Sequence, residues 1–287
     1  MSVASSIQLN DGNRMPIIGL GLYEVDANER TIRLVKLAVR EGYRLFDTAQ
    51  LYGNERETGY GLKASRLPRR QLFITTKLYT TANGRPQVLN SFRQSLQQLM
   101  VDYVDLYLIH APQGGHVLEA YDTMLELQAK GRIRSVGVSN FGVQHLEAIR
   151  QTGRPLPVVN QIELHPFTQQ RAIVNYCRRH GIALMAYSPL ARGSALQDPF
   201  INQLARKYRR TPAQILIRWS LQNNFIPIPK TNQPARLREN FRVFDFRLSN
   251  SDMRQLTEYG YQQEARSSWD PTTNDWKQFG HKTDHFE

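Results

Sequence analysis

Eight short runs rich in β-branched and aliphatic residues, at 17–22, 44–47, 72–77, 103–110, 133–138, 158–162, 182–187 and 225–228, alternate with segments of helical spacing. Those segments fall at 29–41, 54–64, 86–100, 117–130, 143–152, 169–180, 199–208 with 212–223, and 234–241. A parallel strand pair cannot be joined by a tight turn, so strand–helix repeats of this kind predict a parallel sheet with crossover helices. Eight units close a barrel, an architecture of ~250 residues that a chain of 287 accommodates. Ahead of them, Ile7-Gln8-Leu9 and Arg14-Met15 flank Asn10-Asp11-Gly12-Asn13, whose Asp-Gly turn chemistry predicts a hairpin. The expected fold is α/β, a (β/α)8 TIM barrel with an amino-terminal β-hairpin cap.

A doubly wound open sheet is the rival, and it would usually carry a dinucleotide fingerprint after its first strand. Gly19-Leu20-Gly21-Leu22-Tyr23-Glu24 has two of the three glycines, but Glu24 stands in the third place and no helix opens directly after it. The open sheet is rejected. No linker rich in Pro, Gly or Ser divides the chain, so 1–287 reads as a single domain. A last helix is expected at 249–259. Periodicity then fades over 260–287, which nevertheless keeps Trp269, Trp276, Phe279 and Phe286, so this tail is expected to pack over the barrel mouth.

In such barrels chemistry gathers at the carboxyl ends of the strands. Here those ends are polar: Asp47 followed by Tyr52, then Lys77, His110, Ser139-Asn140, Gln161-Ile162-Glu163, Tyr187-Ser188 and Lys230-Thr231. Taken singly, Asp47 reads as a turn residue, Tyr52 as a half-buried aromatic, Lys77 as a snorkelling surface lysine and His110 as a structural histidine. Four of them on one rim make a different case. A free tyrosine, with a pKa of about 10, is a poor proton donor at neutral pH. An ammonium at Lys77 is expected to lower it by about 1 to 3 units, with Asp47 holding Lys77 charged. His110 would orient a carbonyl oxygen and Tyr52 would protonate it. The hydride such a reduction needs must come from a nicotinamide. At the last strand, Lys230, Thr231 and Arg236 surround a predicted helix start at Pro234, an arrangement suited to a phosphate.

The motifs FDTAQLYGNE (46–55), FITTKL (73–78), DLYLIHAP (105–112), GVSNF (137–141), NQIELHP (160–166), AYSPL (186–190) and IPKTNQPARLREN (228–240) resemble those of the aldo-keto reductase superfamily, in that family's order. The resemblance covers nearly the whole chain. It implies NADPH-dependent reduction of aldehydes and ketones to alcohols, with a carboxyl-terminal loop over the active-site mouth. By resemblance Asp47, Tyr52, Lys77 and His110 are the catalytic tetrad. Ser139, Asn140 and Gln161 match the grip on the carboxamide, and Tyr187 matches the ring stacked on the nicotinamide. Ser188 and Leu190, with Gly21 and Leu22 from the first strand, match further contacts to the NADPH/NADP+ cofactor. Lys230, Thr231, Asn232 and Arg236 match the 2′-phosphate clamp, and Glu239 and Asn240 the adenine end. Tyr23, His110, Ala111 and Trp269 are expected at the substrate. Ala111 stands where many members have tryptophan and Leu22 where many have threonine; loss of the indole is expected to widen the pocket.

Composition bears on partners. Net charge is +12, with a pI near 9.9, which raises nucleic acid, an anionic membrane or a phosphorylated small molecule as partners. The basic clusters at 66–70, 178–180 and 206–210 lie far apart in sequence and read as solvated helical faces. A small carbonyl substrate is expected, with neither nucleic acid nor membrane, and a monomer by default. The single cysteine, Cys177, and a start without an apolar leader favour the cytoplasm. A Schiff-base aldolase using Lys77 leaves the phosphate clamp without a role, and a non-catalytic NADPH sensor leaves the tetrad without one.

Overall fold

The computed structural model describes residues 5–275. Strands β1 (Ser6–Gln8) and β2 (Arg14–Pro16) form the antiparallel hairpin. The eight-stranded parallel sheet follows in chain order: β3 (Gly19–Gly21), β4 (Leu45–Asp47), β5 (Phe73–Leu78), β6 (Val104–Ile109), β7 (Ile133–Ser139), β8 (Val159–Glu163), β9 (Ala183–Tyr187) and β10 (Ile226–Pro227). Crossovers are made by α1 (Glu29–Arg40), α2 (Glu55–Ala64), α3 (Gly84–Leu99), α4 (Val117–Ala129), α5 (Val143–Gln151) and α6 (Arg171–Arg179). The pair α7 (Pro199–Tyr208) and α8 (Pro212–Gln222) leads into β10, and α9 (Pro234–Phe241) and α10 (Asn250–Gln262) follow it. This is the (β/α)8 barrel. β10 is only two residues long because Pro227 and Pro229 have no N–H to give to a ladder.

The barrel closes where β3 meets the chain after β10. Gly21 N–H donates to Pro229 O at 3.2 Å, and Gly21 bridges Lys230 in parallel. A Cβ on Gly21 would lie 2.6 Å from Ile228 O, and one on Gly19 2.5 Å from the Leu45 side chain. The two glycines of the rejected fingerprint thus serve close backbone approach at the seam.

Two apolar cores follow from strands buried on both faces. The outer one packs Phe46, Ile74, Tyr107 and Val138 against helix residues such as Leu34, Val35 and Phe92. The inner one stacks Leu45, Phe73, Leu106, Leu108, Val159, Met185 and Ile226, with Leu9 and Met15 of the hairpin plugging its amino-terminal end. Asp11 and Asn13 fix that plug, accepting from Ser135 Oγ at 2.7 Å and donating to Arg134 O at 3.0 Å respectively. With its lower end filled, the barrel opens at the opposite, polar rim.

Helix α10 runs to Gln262, past the expected end at 259, and residues 263–275 return as a strap across that rim. Trp276, Phe279 and Phe286 lie outside the described residues. Cys177 is buried, which pushes its thiol up to about 12 and leaves it a poor nucleophile. Among the described residues no helix is long and apolar enough to cross a membrane.

Candidate active site

Asp47 ends β4, Lys77 lies inside β5 and His110 follows β6, so three neighbouring strands bring these side chains together. Tyr52 arrives on a single helical turn, Gln50–Tyr52, stopped by Gly53 in the left-handed region at φ 67°. Asn54 pins this turn. It accepts from Thr48 Oγ1 at 2.7 Å and donates to Leu22 O and Val25 O, both at 2.8 Å. The Lys77 ammonium, with 0% exposure, spends all three N–H bonds: on Asp47 Oδ1 at 2.6 Å, Thr48 O at 3.0 Å and the Tyr52 hydroxyl at 3.1 Å. Asp47 also accepts from Gln161 Nε2 at 2.7 Å. The His110 ring stands edge-on to Tyr52, with centroids 5.6 Å apart.

Burial pushes Asp47 up and Lys77 down, and each partner pulls the other back toward its charged form. The expectation for Tyr52 needs correction. Burial, and after it the Asp47 carboxylate, raise its phenol well above the ordinary 10.0, because desolvation of a phenolate outweighs the nearby ammonium. Tyr52 therefore keeps its proton at neutral pH and can donate it as negative charge develops on a bound oxygen. Burial, then the Lys77 charge, push His110 well below its ordinary 6.5. A neutral imidazole still donates from one nitrogen, and the other, Nδ1, is buried without a hydrogen-bond partner. In an NMR titration of the free protein, the His110 ring should remain neutral through pH 6.5; a midpoint at the ordinary value would count against this electrostatic picture.

These groups open into a cleft of about 540 Å³. From the expected cofactor set, Gly21, Ser139, Asn140, Gln161, Tyr187, Ser188, Leu190, Lys230, Thr231, Asn232 and Arg236 line it, and from the substrate set Tyr23, His110 and Trp269. The rim is tightly networked. Ser139 Oγ donates to Gln161 O at 2.9 Å, Asn140 Nδ2 to His110 O at 2.9 Å, and the Tyr187 hydroxyl to Asn140 Oδ1 at 2.9 Å. Backbone strain concentrates here, since Glu24, Asn140, Ser188 and Arg192, all in the lining, have positive φ. At the far end Lys230 and Arg236 make no ion pair among the described residues, and α9 begins between them with Pro234 in its first turn. Two cations, a hydroxyl and a helix start fit a phosphate.

Four expected contacts do not reach the cleft wall. Leu22 faces the outer core, because it is one residue out of phase with Gly21. Ala111 is buried and does not itself line the cleft. Glu239 accepts from Thr211 Oγ1 at 2.7 Å, on the side of α9 that meets α8, and Asn240 is buried. Sequence reasoning missed Leu51, Glu24 and Arg192 in the lining, the latter two joined by a hydrogen-bonded ion pair. It also gave no role to Glu163, although it placed that residue at a strand end. Burial works against its ionisation, but hydrogen bonds from His165, Ser267 and Ser268 outweigh this and hold the carboxyl at about 2.

Barrels of this topology host unrelated chemistries, so the fold alone assigns none. Comparison of sequences narrows it: the chain belongs to the aldo/keto reductase family, whose model matches residues 17–260, and is an oxidoreductase of that family. It is 45% identical over 249 residues to an aldo-keto reductase of Mycolicibacterium smegmatis, covering 86% of this chain and 90% of that one. It is 43% identical over 260 residues to the methylglyoxal reductase DkgA of Escherichia coli O157:H7, covering 89% and 94%. Among solved structures, a Bombyx mori aldo-keto reductase in complex with NADP superposes with a TM-score of 0.87 at 34% identity, covering 97% of this chain and 98% of that one.

Proposed function

We propose that this protein reduces aldehydes and ketones to alcohols with NADPH, acting on small molecules as a monomer in the cytoplasm. The observation that carries this reading is the fully buried Lys77, its three donors satisfied and one of them placed on the hydroxyl of a cleft-facing tyrosine. A buried ammonium is costly unless paired, and this one is spent on a phenol rather than on a second carboxylate. NADPH, when bound, supplies the hydride that no side chain can. Lys230 and Arg236 would hold its 2′-phosphate, Tyr187 would offer a ring face, and Asn140 and Gln161 would meet the carboxamide. His110 donates a hydrogen bond to the carbonyl oxygen, and Tyr52 delivers the proton while Lys77 and Asp47 keep it in place. The substrate end, walled by Tyr23, Leu51, Tyr52, His110 and Trp269, suits an uncharged aldehyde with a small apolar or aromatic remainder.

The test is oxidation of NADPH in the presence of a generic aromatic aldehyde and of methylglyoxal. Binding of NADPH with no turnover of either would favour a sensor and remove the reductase reading. Cofactor choice gives a second check. Neutralising Lys230 and Arg236 together should weaken NADPH by about tenfold per lost charge-assisted contact while leaving the KM for NADH nearly unchanged. An unaltered NADPH-to-NADH preference would place the phosphate elsewhere.

A further inference from the structure

Glu163 is the last residue of β8, fully buried, and takes no part in the proton chemistry. Its carboxylate gathers four donors. Oε1 accepts from His165 Nε2 at 2.8 Å, from the Ser267 N–H at 2.7 Å and from Ser267 Oγ, and Oε2 accepts from Ser268 Oγ at 2.6 Å. A carboxylate can only accept, so His165 must carry its proton on Nε2. Three of these four bonds come from the strap at 263–275, which has no regular structure to satisfy its own backbone.

Elsewhere the strap is also held through its main chain, and the buried His145 Nε2 meets Asn274 O at 2.6 Å. Ala265 N–H donates to Phe167 O at 2.8 Å, Thr168 Oγ1 donates to Ala265 O at 2.9 Å, and Gln144 Nε2 donates to Thr272 O at 2.8 Å. The Glu163 contacts sit directly beside the two strap residues that line the cleft, Ser268 and Trp269, while Asp270 next to them pairs with Arg266 inside the strap at 2.8 Å. Ser268 has one proton, which goes to the closer, charged oxygen of Glu163, and its own oxygen then lies 3.3 Å from the Tyr187 hydroxyl. Tyr187 is in turn tied through Asn140 to the main chain of His110. The carboxylate therefore fixes the strap, with the Ser268 oxygen resting against the Tyr187 hydroxyl rather than bonded to it.

We propose that Glu163 is a positioning residue: its buried carboxylate anchors the strap at Ser267 and Ser268 and so sets where Trp269 meets the substrate. The proposal rests on the reductase reading for its effect on substrate but not for the anchoring itself. Its test therefore has two readouts on the full-length protein. One is the rate at which trypsin cuts the Arg266–Ser267 bond, followed by mass spectrometry, since that peptide N–H is held by Glu163. The other is the split between KM and kcat for an aromatic aldehyde.

Glu163→Ala should be cut at Arg266 about tenfold faster and should raise KM about tenfold, with kcat within about threefold of wild type, because the tetrad is untouched. Glu163→Gln, which keeps the shape and one acceptor oxygen, should recover part of both effects. Ser267→Ala removes a single hydroxyl and should move both in the same direction by less; it carries the test if circular dichroism shows that Glu163→Ala does not fold. Wild-type cleavage in folded variants overturns the anchoring. Faster cleavage with unchanged KM, or a loss confined to kcat, overturns the positioning role. A wild-type protein that reduces no aldehyde overturns the proposed function, and the anchoring then stands or falls on the cleavage rate alone.

Discussion

Tyr52→Phe should lower kcat for aldehyde reduction by about 10²- to 10⁴-fold, the range that one positioned general acid contributes. The change removes one oxygen and leaves the ring. Its contacts with Tyr23, 5.1 Å between centroids, and with His110 persist, so the cleft keeps its shape. NADPH affinity should change less than about threefold, because neither Lys230 nor Arg236 is affected. The measurements are steady-state kinetics and NADPH titration of both proteins. Turnover in Tyr52→Phe within tenfold of wild type would remove Tyr52 as the acid and point to His110 or water. The pH profile should follow the same logic. The acid is active while protonated, and burial raises its pKa, so the alkaline loss of activity should lie above the range of an ordinary tyrosine.

The second large effect is on stability. Asp47→Ala leaves the fully buried Lys77 ammonium with Thr48 O and the Tyr52 hydroxyl as its only partners, and should cost about 3–5 kcal/mol of unfolding free energy. Lys77→Met alone leaves Asp47 buried against Gln161 and should cost a similar amount. Combining Asp47→Leu with Lys77→Met removes both charges at roughly constant volume, and most of the stability should return while activity does not. Urea unfolding of the set checks this. Strictly additive losses in the double variant would show that the two charges do not depend on each other.

Much of this was legible in the chain because two periodicities were. The strand–helix alternation predicts the barrel, and strand ends predict its rim, so Asp47, Lys77, His110, Gln161 and Tyr187 could be placed together without coordinates. What was not legible turns on single-residue phase or on contacts distant in sequence. Gly21 ends β3 and Leu22 directly follows it, yet one faces the cleft and the other the helices. The sign of the Tyr52 shift depends on how completely the surrounding elements exclude water, a collective property no motif carries. Ser267 and Ser268, in an aperiodic segment, meet Glu163 across more than a hundred residues of sequence, and nothing in their local sequence marks them as partners of a buried acid.

The seam that closes the barrel also has a temporal meaning. Gly21 in the first barrel strand is bridged to Lys230, which follows the last, so the end of the cleft that carries Lys230 is assembled from the two extremes of the barrel sequence. A growing polypeptide has most of its core before it has this site. Ligand affinity is thus a late-arriving property during synthesis and refolding, and once present it acts as a clasp. A ligand held only by the closed form at a hundred times its Kd adds about 2.7 kcal/mol against reopening of that form. The cofactor of such a barrel would serve as its final fastening as well as its reagent.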